Sequence, residues 1–407
     1  MSMAAQHKSP ARTFLAVWIS ILLLYSVIDA RWMPYPNGMH IAYFSLFFFC
    51  FGWGAILYNL FPRSAAVEKN VTVRQQIVAY FSSRQANWRL RVGLAVFGTV
   101  FLAEIAAAGG LPLLSFMGIG AEINYTDFGL PGVHGILNSL YYAIFLLVIV
   151  NKQMRPWKRR ILLISLIFYP VAIVSRQVLM SAMIQATLMA YLSSTKPFRV
   201  IMRGVLGFVA LIFLLGWLGD QRSGADVIRE LSGLDDAVSE RVPTAALWLM
   251  TYILSPIANV FNNAPSWDGY DLYPFLSGLL PTVFQGIIDA TRGELQIDLV
   301  DPRLNAGSIF IHISPFLGYA GVTILGAVLG FALEGCRLGK WVAPGSFKPF
   351  IYVIATHGVV LSMFDNLLVH IVFVVEYLFI RLIVGRAPRR SAPSVLPATA
   401  ARAPSRV

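Results

Sequence analysis

Long apolar stretches recur along this chain, and short polar or charged segments separate them. A helix needs about 20 apolar residues to cross the hydrocarbon core of a bilayer. The stretches that approach this length occupy residues 13–30, 41–61, 90–108, 134–150, 160–174, 177–193, 199–218, 309–333, 349–364 and 367–385. The pattern therefore predicts an all-α polytopic membrane protein with about 10 transmembrane helices.

Two pairs of these stretches are separated by only two polar residues, Ser175-Arg176 in one pair and Asp365-Asn366 in the other. Either pair has the hydropathy of one long helix, but charged groups at the centre of a span are costly. We therefore divide each pair into a helical hairpin whose polar tip reaches the membrane surface.

The longest connection, residues 219–308, contains two further stretches of apolar character. Residues 244–261 are apolar enough to lie in the membrane interface or to re-enter the bilayer. Residues 272–288 are similar, but Pro274 and Pro281 interrupt them, and proline breaks a helix interior. We interpret both stretches as buried or interfacial helices. If both crossed the membrane, the chain would have twelve spans with unchanged sidedness.

Composition supports the membrane interpretation. Of the 407 residues, 57% are apolar and only 13% are charged, whereas a soluble domain carries about 25% charged residues. We assign residues 1–385 to one integral-membrane domain. Residues 386–407 are rich in Ala, Pro, Ser and Arg, and we expect a disordered basic cytoplasmic tail. No small-x-small cleavage site follows the first apolar stretch, which predicts a retained span rather than a signal peptide.

Basic residues are distributed unevenly between the connections. With the N-terminus inside, 25 of the 32 basic residues fall in alternate connections that would face the cytoplasm, as the positive-inside rule requires. The remaining basic residues, which we expect outside, are Arg31, Arg176, Arg222, Arg229, Arg241, Arg292 and Arg303. We therefore expect both termini in the cytoplasm, and the loop 219–308 on the external face of an inner membrane. This distribution accounts for the net charge of +12 without a nucleic-acid partner.

Several classes of function lack their sequence signatures. The chain has no P-loop, no His-x-x-His or Cys-x-x-Cys spacing and no Gly-x-Ser-x-Gly elbow. Cys50 lies inside an apolar stretch and Cys336 beside a basic segment, so we expect no disulfide. We expect neither a metal nor a cofactor, and any chemistry falls to external arginines, carboxylates, asparagines and tyrosines.

External arginines are candidates for binding a lipid-linked pyrophosphate. A guanidinium group is a planar fork that suits phosphate oxygens and stays charged at any pH. Arg176 lies at the tip of the first hairpin, where the alternative is a helix-end arginine that snorkels to the interface. Arg222 follows Asp220 at a helix exit, where the alternative is an interfacial ion pair. Arg292 and Arg303 lie further along the same loop.

A second group of candidates suits sugar hydroxyls. Tyr252, Asn259, Asn262 and Asn263 follow one another at helical spacing, and residues four apart lie on one helix face. Amide and phenol groups supply neutral donors and acceptors, which match the hydroxyl groups of a sugar. The alternative is that the asparagines cap the helix and pack a loop.

A third group could accept the proton of a sugar hydroxyl. Asp220, Asp301 and His312 lie near the predicted external surface, where a carboxylate or an imidazole could act as a general base. Asp365, at the tip of the second hairpin and close to the same surface, is a candidate site residue without an assigned role. For each residue alone the alternative is a solvated loop or an interfacial ion pair.

The chain resembles the oligosaccharide repeat-unit polymerases that build bacterial O-antigens and other surface polysaccharides. The stretches that carry the resemblance are Gly109-Gly110-Leu111-Pro112-Leu113-Leu114, Tyr125-Thr126-Asp127-Phe128-Gly129-Leu130-Pro131, Val174-Ser175-Arg176-Gln177, Ser255-Pro256-Ile257-Ala258-Asn259 and Gly318-Tyr319-Ala320-Gly321. The resemblance spans most of the chain, although each motif is short and topology contributes as much to the match as residues do.

The resemblance implies a fold and an activity. It implies a GT-C-like membrane glycosyltransferase that moves a growing glycan from undecaprenyl diphosphate onto a new lipid-linked repeat unit, without a nucleotide sugar. Arg176, with Arg222 and Arg303, would hold the diphosphate, and Tyr125 would belong to the external substrate-binding stretch. The implied partners are the undecaprenyl-diphosphate-linked oligosaccharide, membrane lipids and a protein that regulates chain length. The base stays open among the three candidates above.

Three other functions compete with this interpretation. An O-antigen ligase uses the same donor and typically carries a catalytic His and Arg in its large loop, but the loop 219–308 contains no His, and His312 lies just beyond it. A transporter of lipid-linked oligosaccharides would carry a charged central cavity and often internal repeats, and neither is visible in the sequence. A membrane scaffold would not account for the clustered Arg, Asn and Tyr residues of the loop.

Overall fold

The computed structural model describes residues 8–61, 71–81, 84–120, 122–123, 128–266, 268–292, 297–339, 341–343 and 345–385. The helices are α1 Pro10–Val27, α2 Gly38–Leu60, α3 Val73–Ala79, α4 Arg84–Ala108, α5 Pro112–Phe116, α6 Val133–Val150, α7 Pro156–Ala172, α8 Arg176–Ser193, α9 Pro197–Ser223, α10 Ala225–Ser232, α11 Asp236–Ser239, α12 Thr244–Asn262, α13 Tyr273–Leu276, α14 Thr282–Arg292, α15 Tyr319–Gly335, α16 Lys348–Leu361 and α17 Ile371–Val384. The strands are β1 Val71–Thr72 and β2 Trp341–Val342, and 3₁₀ turns occupy Ser277–Leu279, Ile309–His312 and Leu367–Val369. Tyr125 and residues 386–407 lie outside the described residues.

Within the described ranges, six helices are long and apolar enough to cross a membrane. These segments are Pro10–Val27, Gly38–Leu60, Arg84–Ala108, Val133–Val150, Pro197–Gln221 and Thr244–Asn262. Helices α15 and α16 are apolar but shorter. The protein is therefore an all-α protein with the character of a multi-pass membrane protein, while the predicted count of about ten spans is not confirmed. Helix α12, which we expected to be interfacial or buried, is among the six.

Both predicted hairpin breaks are confirmed. Helix α7 ends at Ala172 and α8 begins at Arg176, where the Ser175 hydroxyl accepts the backbone N–H of Val178 at 3.4 Å. Val174 between them has a φ of 54°, a left-handed conformation that strains a β-branched residue. Helices α16 and α17 are likewise separated by the turn that contains Asp365. The two polar pairs therefore lie between helices, and neither is placed at the centre of a membrane span, where a charged group would be costly.

The predicted span 309–333 is wrong at its start. The helix begins only at Tyr319, and the preceding residues form the 3₁₀ turn Ile309–His312 and an irregular segment. Pro315 lies in that segment, and proline lacks the N–H that an interior helical residue donates. Ile309, Phe310 and Ile311 are buried, so this apolar stretch packs against protein.

Helices α2 and α15 pack with their backbones in contact. A Cβ atom at Gly54 would overlap the carbonyl oxygen of Ala327, and one at Gly330 would overlap the carbonyl oxygen of Phe51. Gly326 and Gly330 have the Gly-x-x-x-Gly spacing that lets two membrane helices approach closely. Small residues therefore fix this helix pair, because a larger side chain would separate the two backbones.

The basic segments that we expect in the cytoplasm lie together at one end of the bundle. Lys8 and Leu338 form an antiparallel bridge, and β1 pairs antiparallel with β2, with Val71 opposite Val342. The Lys152 ammonium group donates to the carbonyl of Ser193 at 3.3 Å. The sequence did not predict the β1–β2 ribbon, although it did predict that these segments share one side.

The loop 219–308 and the hairpin tips gather at the other end. The backbone N–H of Arg31 donates to the carbonyl of Gly233 at 2.9 Å, and the Asn366 amide donates to the carbonyl of Phe275 at 2.7 Å. Helices α10 to α14 form most of this region. Of the two prolines expected to interrupt residues 272–288, Pro281 lies between α13 and α14, whereas Pro274 lies in the first turn of α13. This end therefore carries a folded cap, built largely from the longest connection.

We predict that Gly54→Ala lowers the free energy of unfolding by about 1–3 kcal/mol, because the added methyl group overpacks the α2–α15 contact. Gly52→Ala on the same helix is the matched control, since a Cβ atom there meets no atom within 4 Å. It should be neutral or stabilise the helix by up to about 1 kcal/mol. Thermal unfolding of both purified variants in detergent measures the difference, and equal unfolding temperatures would contradict the packing assignment.

Candidate functional site

A cavity of about 320 Å³ lies between α8, α9 and α12, at the end of the bundle that carries the folded cap. Its lining residues are Arg176, Gln177, Met180, Phe208, Leu211, Ile212, Gly216, Ala245, Trp248, Leu249, Tyr252, Ala306, Leu361, Phe364, Asp365 and Leu367. Most of this lining is apolar, and Arg176 and Asp365 are the charged residues among the described side chains that form it. The cavity thus combines an apolar interior with one cation and one anion.

Arg176 and Tyr252 meet at this cavity, although they lie on different helices. The Arg176 Nη1 donates to the Tyr252 hydroxyl at 3.2 Å, and the guanidinium carbon lies 5.9 Å from the centroid of the tyrosine ring. Among the described residues, no carboxylate lies within ion-pair distance of the Arg176 guanidinium. Its positive charge is therefore oriented by a tyrosine but not neutralised, which suits the binding of an anion.

Trp248 supports Tyr252 from the preceding turn of α12. The two rings are stacked, with centroids 5.9 Å apart and an interplanar angle of 25°. The indole N–H of Trp248 donates to Asp220 Oδ1 at 3.0 Å, and the Thr244 hydroxyl donates to Asp220 Oδ2 at 2.6 Å. Asp220 therefore accepts one hydrogen bond on each oxygen and fixes α12 against the end of α9.

Close packing of α9 and α12 holds this arrangement. A Cβ atom at Gly216 would overlap the Ala245 side chain, and one at Gly219 would lie 2.7 Å from the indole of Trp248. The two glycines leave room for α12, so the indole can reach Asp220. The geometry of the site therefore depends on Gly216 and Gly219, which have no side chain to keep α12 away from α9.

Two histidines lie within electrostatic reach of Asp365, although neither is among the described residues that line the cavity. The Asp365 carboxylate lines the cavity and accepts the backbone N–H of Asn366 at 2.7 Å. Burial lowers the pKa of His312, and the negative charge of Asp365 opposes that shift. Asp365 also lies within electrostatic reach of His370. The backbone of Ser308 also opposes the shift of the His312 pKa, and among the described residues the His312 Nδ1 is buried without a side-chain partner.

Asp301 and Arg303 neutralise each other on the surface of the cap. The Arg303 Nη2 donates to Asp301 Oδ2 at 2.9 Å and its Nε to Asp301 Oδ1 at 3.0 Å, and Glu230 lies 3.4 Å from the same guanidinium. The hydrogen bond from Arg303 lowers the pKa of the Asp301 carboxyl group, although partial burial opposes this. Both candidates are thus engaged in an ion pair, so an anion would compete with Asp301 for Arg303.

The asparagines of α12 hold the neighbouring loop. Asn259 is fully buried, and its amide donates to the carbonyls of Leu304 and Ala306 at 2.8 and 2.9 Å. Its Oδ1 accepts the backbone N–H of Val300 at 2.9 Å. The amide of Asn262 donates to the carbonyl of Asp298 at 3.0 Å. These bonds favour the loop-packing alternative over direct contact with a sugar, and they position Ala306 at the cavity.

Arg292, another predicted substrate-binding residue, is not among the described residues that line the cavity. Arg292 donates to Asp271 Oδ2 at 2.6 Å, and its guanidinium carbon lies 4.9 Å from the ring centroid of Tyr273, in a separate exposed pair. Arg222 belongs to α9, but its side chain lies outside the described part of the structure. The same holds for Tyr125.

Trp248 is the site residue that sequence reasoning missed. It precedes Tyr252 by four residues, so the two share one face of a helix. That spacing is the signal that could have identified it once residues 244–262 were recognised as helical. Its link to Asp220 could not be read from the sequence, because it joins two helices.

Comparison of the chain with protein-family models, with curated proteins and with solved structures gave no match. The function is therefore argued from the cavity and from the chemistry of its residues.

We predict that Asp220→Ala destabilises the protein by about 1–3 kcal/mol, because it leaves the Thr244 hydroxyl and the Trp248 N–H without an acceptor. Asp226→Ala, which removes an exposed carboxylate from the nearby α10, is the control. Thermal unfolding in detergent compares the two variants. An Asp220→Ala protein as stable as the Asp226→Ala protein would show that these bonds contribute nothing to stability.

We also predict that Asp301→Asn loses a pH-dependent part of the stability. A carboxyl group whose pKa is lowered by folding stabilises the folded protein above its ordinary value of 3.8, and this contribution disappears as the pH falls further. The stability difference between the wild type and Asp301→Asn should therefore be constant at neutral pH and shrink as the pH falls from about 4 through the lowered pKa of Asp301. Unfolding curves across this range test it, with Asp298→Asn on the same loop as the control.

Proposed function

We propose that the protein is a glycosyltransferase of the bacterial inner membrane that joins undecaprenyl-diphosphate-linked oligosaccharide repeat units on the periplasmic face. One observation supports this most directly. Arg176 lines an apolar cavity with an oriented guanidinium group that has no carboxylate partner among the described residues. A polyisoprenoid diphosphate has the complementary chemistry, with an apolar chain next to a compact anion.

The cavity suits one part of such a donor. Its volume of about 320 Å³ lies at the lower end of the range for ligand pockets, roughly 300–1,000 Å³. Phe208, Leu211 and Ile212 of α9 line one side, and they offer dispersion contacts to an isoprenoid segment. We expect the isoprenoid units next to the diphosphate to lie here, and the rest of the chain to remain in the bilayer.

In the proposed reaction, the bond between the anomeric carbon of the donor glycan and the diphosphate oxygen breaks. An acceptor hydroxyl of the new repeat unit forms the new glycosidic bond, and its proton passes to a general base. Negative charge develops on the departing diphosphate, and Arg176 would stabilise it through charge-assisted hydrogen bonds. Tyr252 and Trp248 would act as positioning residues, since they hold the guanidinium group and its supporting ring.

Among the three candidate bases, His312 has the most support. Its buried Nδ1 has no side-chain partner among the described residues, and its ring lies within electrostatic reach of Asp365, a carboxylate that lines the cavity. Asp220 already accepts two hydrogen bonds, and Asp301 is held by Arg303. A carboxylate near the imidazole would also stabilise the imidazolium that forms when the proton arrives.

The position of His312 also favours a second candidate function. An O-antigen ligase uses the same lipid-linked donor, and a His together with an Arg would suit its chemistry as well. The two reactions differ in the acceptor, which is a lipid-linked repeat unit for the polymerase and the lipopolysaccharide core for the ligase.

A deletion strain of the source organism distinguishes the two functions. If the protein is the polymerase, the lipopolysaccharide gel should collapse to core plus a single repeat unit, because export and ligation continue. Loss of all O-antigen bands would instead identify a ligase. An unchanged ladder in this gel and an unchanged profile of the other surface polysaccharides would reject both functions.

We predict that Arg176→Ala, supplied to the deletion strain, lowers the rate of polymer formation by about 10²–10³-fold, the usual loss when one stabilising donor is removed. Arg176→Lys should restore only part of it, because an ammonium group cannot form the two-pronged contact of a guanidinium. Arg31→Ala is the control, since it removes an exposed arginine from the same end of the bundle. Full polymer length with Arg176→Ala at normal protein abundance would refute the role of this residue.

A further inference from the structure

A second cavity lies at the opposite end of the bundle, where the basic segments gather. It has a volume of about 610 Å³ and lies between the N-terminal turns of α4 and α7 and the connection that follows α6. Its lining residues are Arg84, Asn87, Trp88, Leu90, Arg91, Leu94, Gln153, Met154, Arg155 and Lys158. Four of them are cations, and none is an Asp or a Glu.

The shape of this cavity follows from how α4 and α7 pack. Both helices lie against α6, and they contact each other through the Tyr169 ring, whose centroid lies 5.1 Å from that of Phe97 and 5.0 Å from that of Phe101. N-terminal to this contact, the side chains of both helices line a gap. The gap opens at the helix ends, where four long basic side chains can surround a ligand.

The positive charge of this cavity has no counter-charge in the described structure. Residues 84–91 and 151–160 contain no Asp or Glu. None of the four cations belongs to an ion pair of the described residues, and Lys158 only lies over the Trp157 ring, 5.3 Å from its centroid. Burial lowers the pKa of Lys152 in the same connection, and the charges of neighbouring arginines lower it further.

Two helix N-termini add to this potential. Helices α4 and α7 both begin at the cavity, and the residue before α7, Arg155, makes no side-chain cap to the first turn. Unpaired N–H groups and the helix dipole favour a negative charge at such a position. The N–H groups and the helix dipoles therefore add to the positive potential of the four cations.

Apolar and aromatic surface continues from the cavity along both helices. Trp88 and Trp157 are 62% and 56% exposed, and Ile161 and Ile164 of α7 are 55% and 69% exposed. Exposed tryptophans are typical of the membrane–water interface, and exposed aliphatic side chains beside them are typical of a lipid-facing surface. The cavity itself is lined by Trp88, Leu94 and Met154 beside its cations, so a ligand there meets both positive charge and apolar contacts.

We propose that this cavity binds the phosphate-containing headgroup of an anionic phospholipid, whose acyl chains lie along α4 and α7. Basic pockets between membrane helices on the cytoplasmic side recognise such headgroups. A soluble phosphate compound would satisfy the same cations, but it would make no use of the apolar surface beside them. The site is separate from the cavity of Arg176, so it does not depend on the proposed transferase activity.

Binding to the full-length protein in detergent tests this site. Phosphatidylglycerol, cardiolipin and zwitterionic phosphatidylcholine are added in turn, and binding is followed by native mass spectrometry and by the rise in unfolding temperature. The variant Arg91→Gln/Arg155→Gln should bind the two anionic lipids more weakly by on the order of tenfold or more. The control Arg199→Gln/Arg203→Gln removes two exposed arginines from α9 at the same end of the bundle, and its affinity should stay within about twofold.

Three results would overturn the proposal. Equal losses in the two double variants would mean that only diffuse surface charge attracts the lipid. Equal binding of phosphatidylcholine would remove the role of the net negative charge. Inorganic pyrophosphate that binds as tightly as phosphatidylglycerol would assign the cavity to a soluble phosphate compound. Where the double variant is not monodisperse, the single variants Arg155→Gln and Arg199→Gln give the same comparison.

Discussion

The cost of placing a charge in hydrocarbon is the constraint on which this structure depends. Basic segments that lie far apart in the sequence meet at one end of the bundle, where Lys8 pairs with Leu338 and β1 pairs with β2. The folded cap and the hairpin tips meet at the other end. The cavity of Arg176 and the basic cavity therefore lie at opposite ends, and each joins apolar helix surface to exposed charge. Both are suited to ligands that are themselves part apolar and part charged.

Two glycines in α9 allow the close helix packing that sets the geometry of the candidate site. Gly216 and Gly219 let α12 approach α9, and this approach brings Trp248 to the Asp220 carboxylate. Trp248 in turn stacks on Tyr252, which accepts a hydrogen bond from Arg176. Through this series of contacts, the orientation of the Arg176 guanidinium group depends on how closely α9 and α12 pack. Asp220 contributes to the site through this support, whether or not it also contacts a substrate.

Features that follow from the cost of burying a nearby polar group could be predicted from the sequence. Features that depend on contacts between segments far apart in the sequence could not. The breaks at Ser175 and Asp365 followed from the cost of burying polar groups, and both are present. The start of α15 was predicted ten residues early, because hydropathy does not distinguish a span from the buried segment around Pro315. Arg176 and Tyr252 were each recognised as candidates, but nothing local indicates that they touch. The β1–β2 ribbon and the role of Asn259 in loop packing are likewise long-range contacts.

The arginines that the sequence predicts to be external differ in their counter-charges. Arg303 is held by Asp301 and Glu230, and Arg292 is held by Asp271, so an anion at either must displace a carboxylate that is already bonded. Such exposed ion pairs contribute little to stability, but they reduce the charge available to a ligand. Arg176 instead contacts the neutral hydroxyl of Tyr252, which orients the guanidinium group without cancelling its charge. In the proposed reaction, a departing diphosphate would need a positive charge that is in place before the bond breaks. Among the described side chains that line the cavity, the Arg176 guanidinium group would meet that requirement.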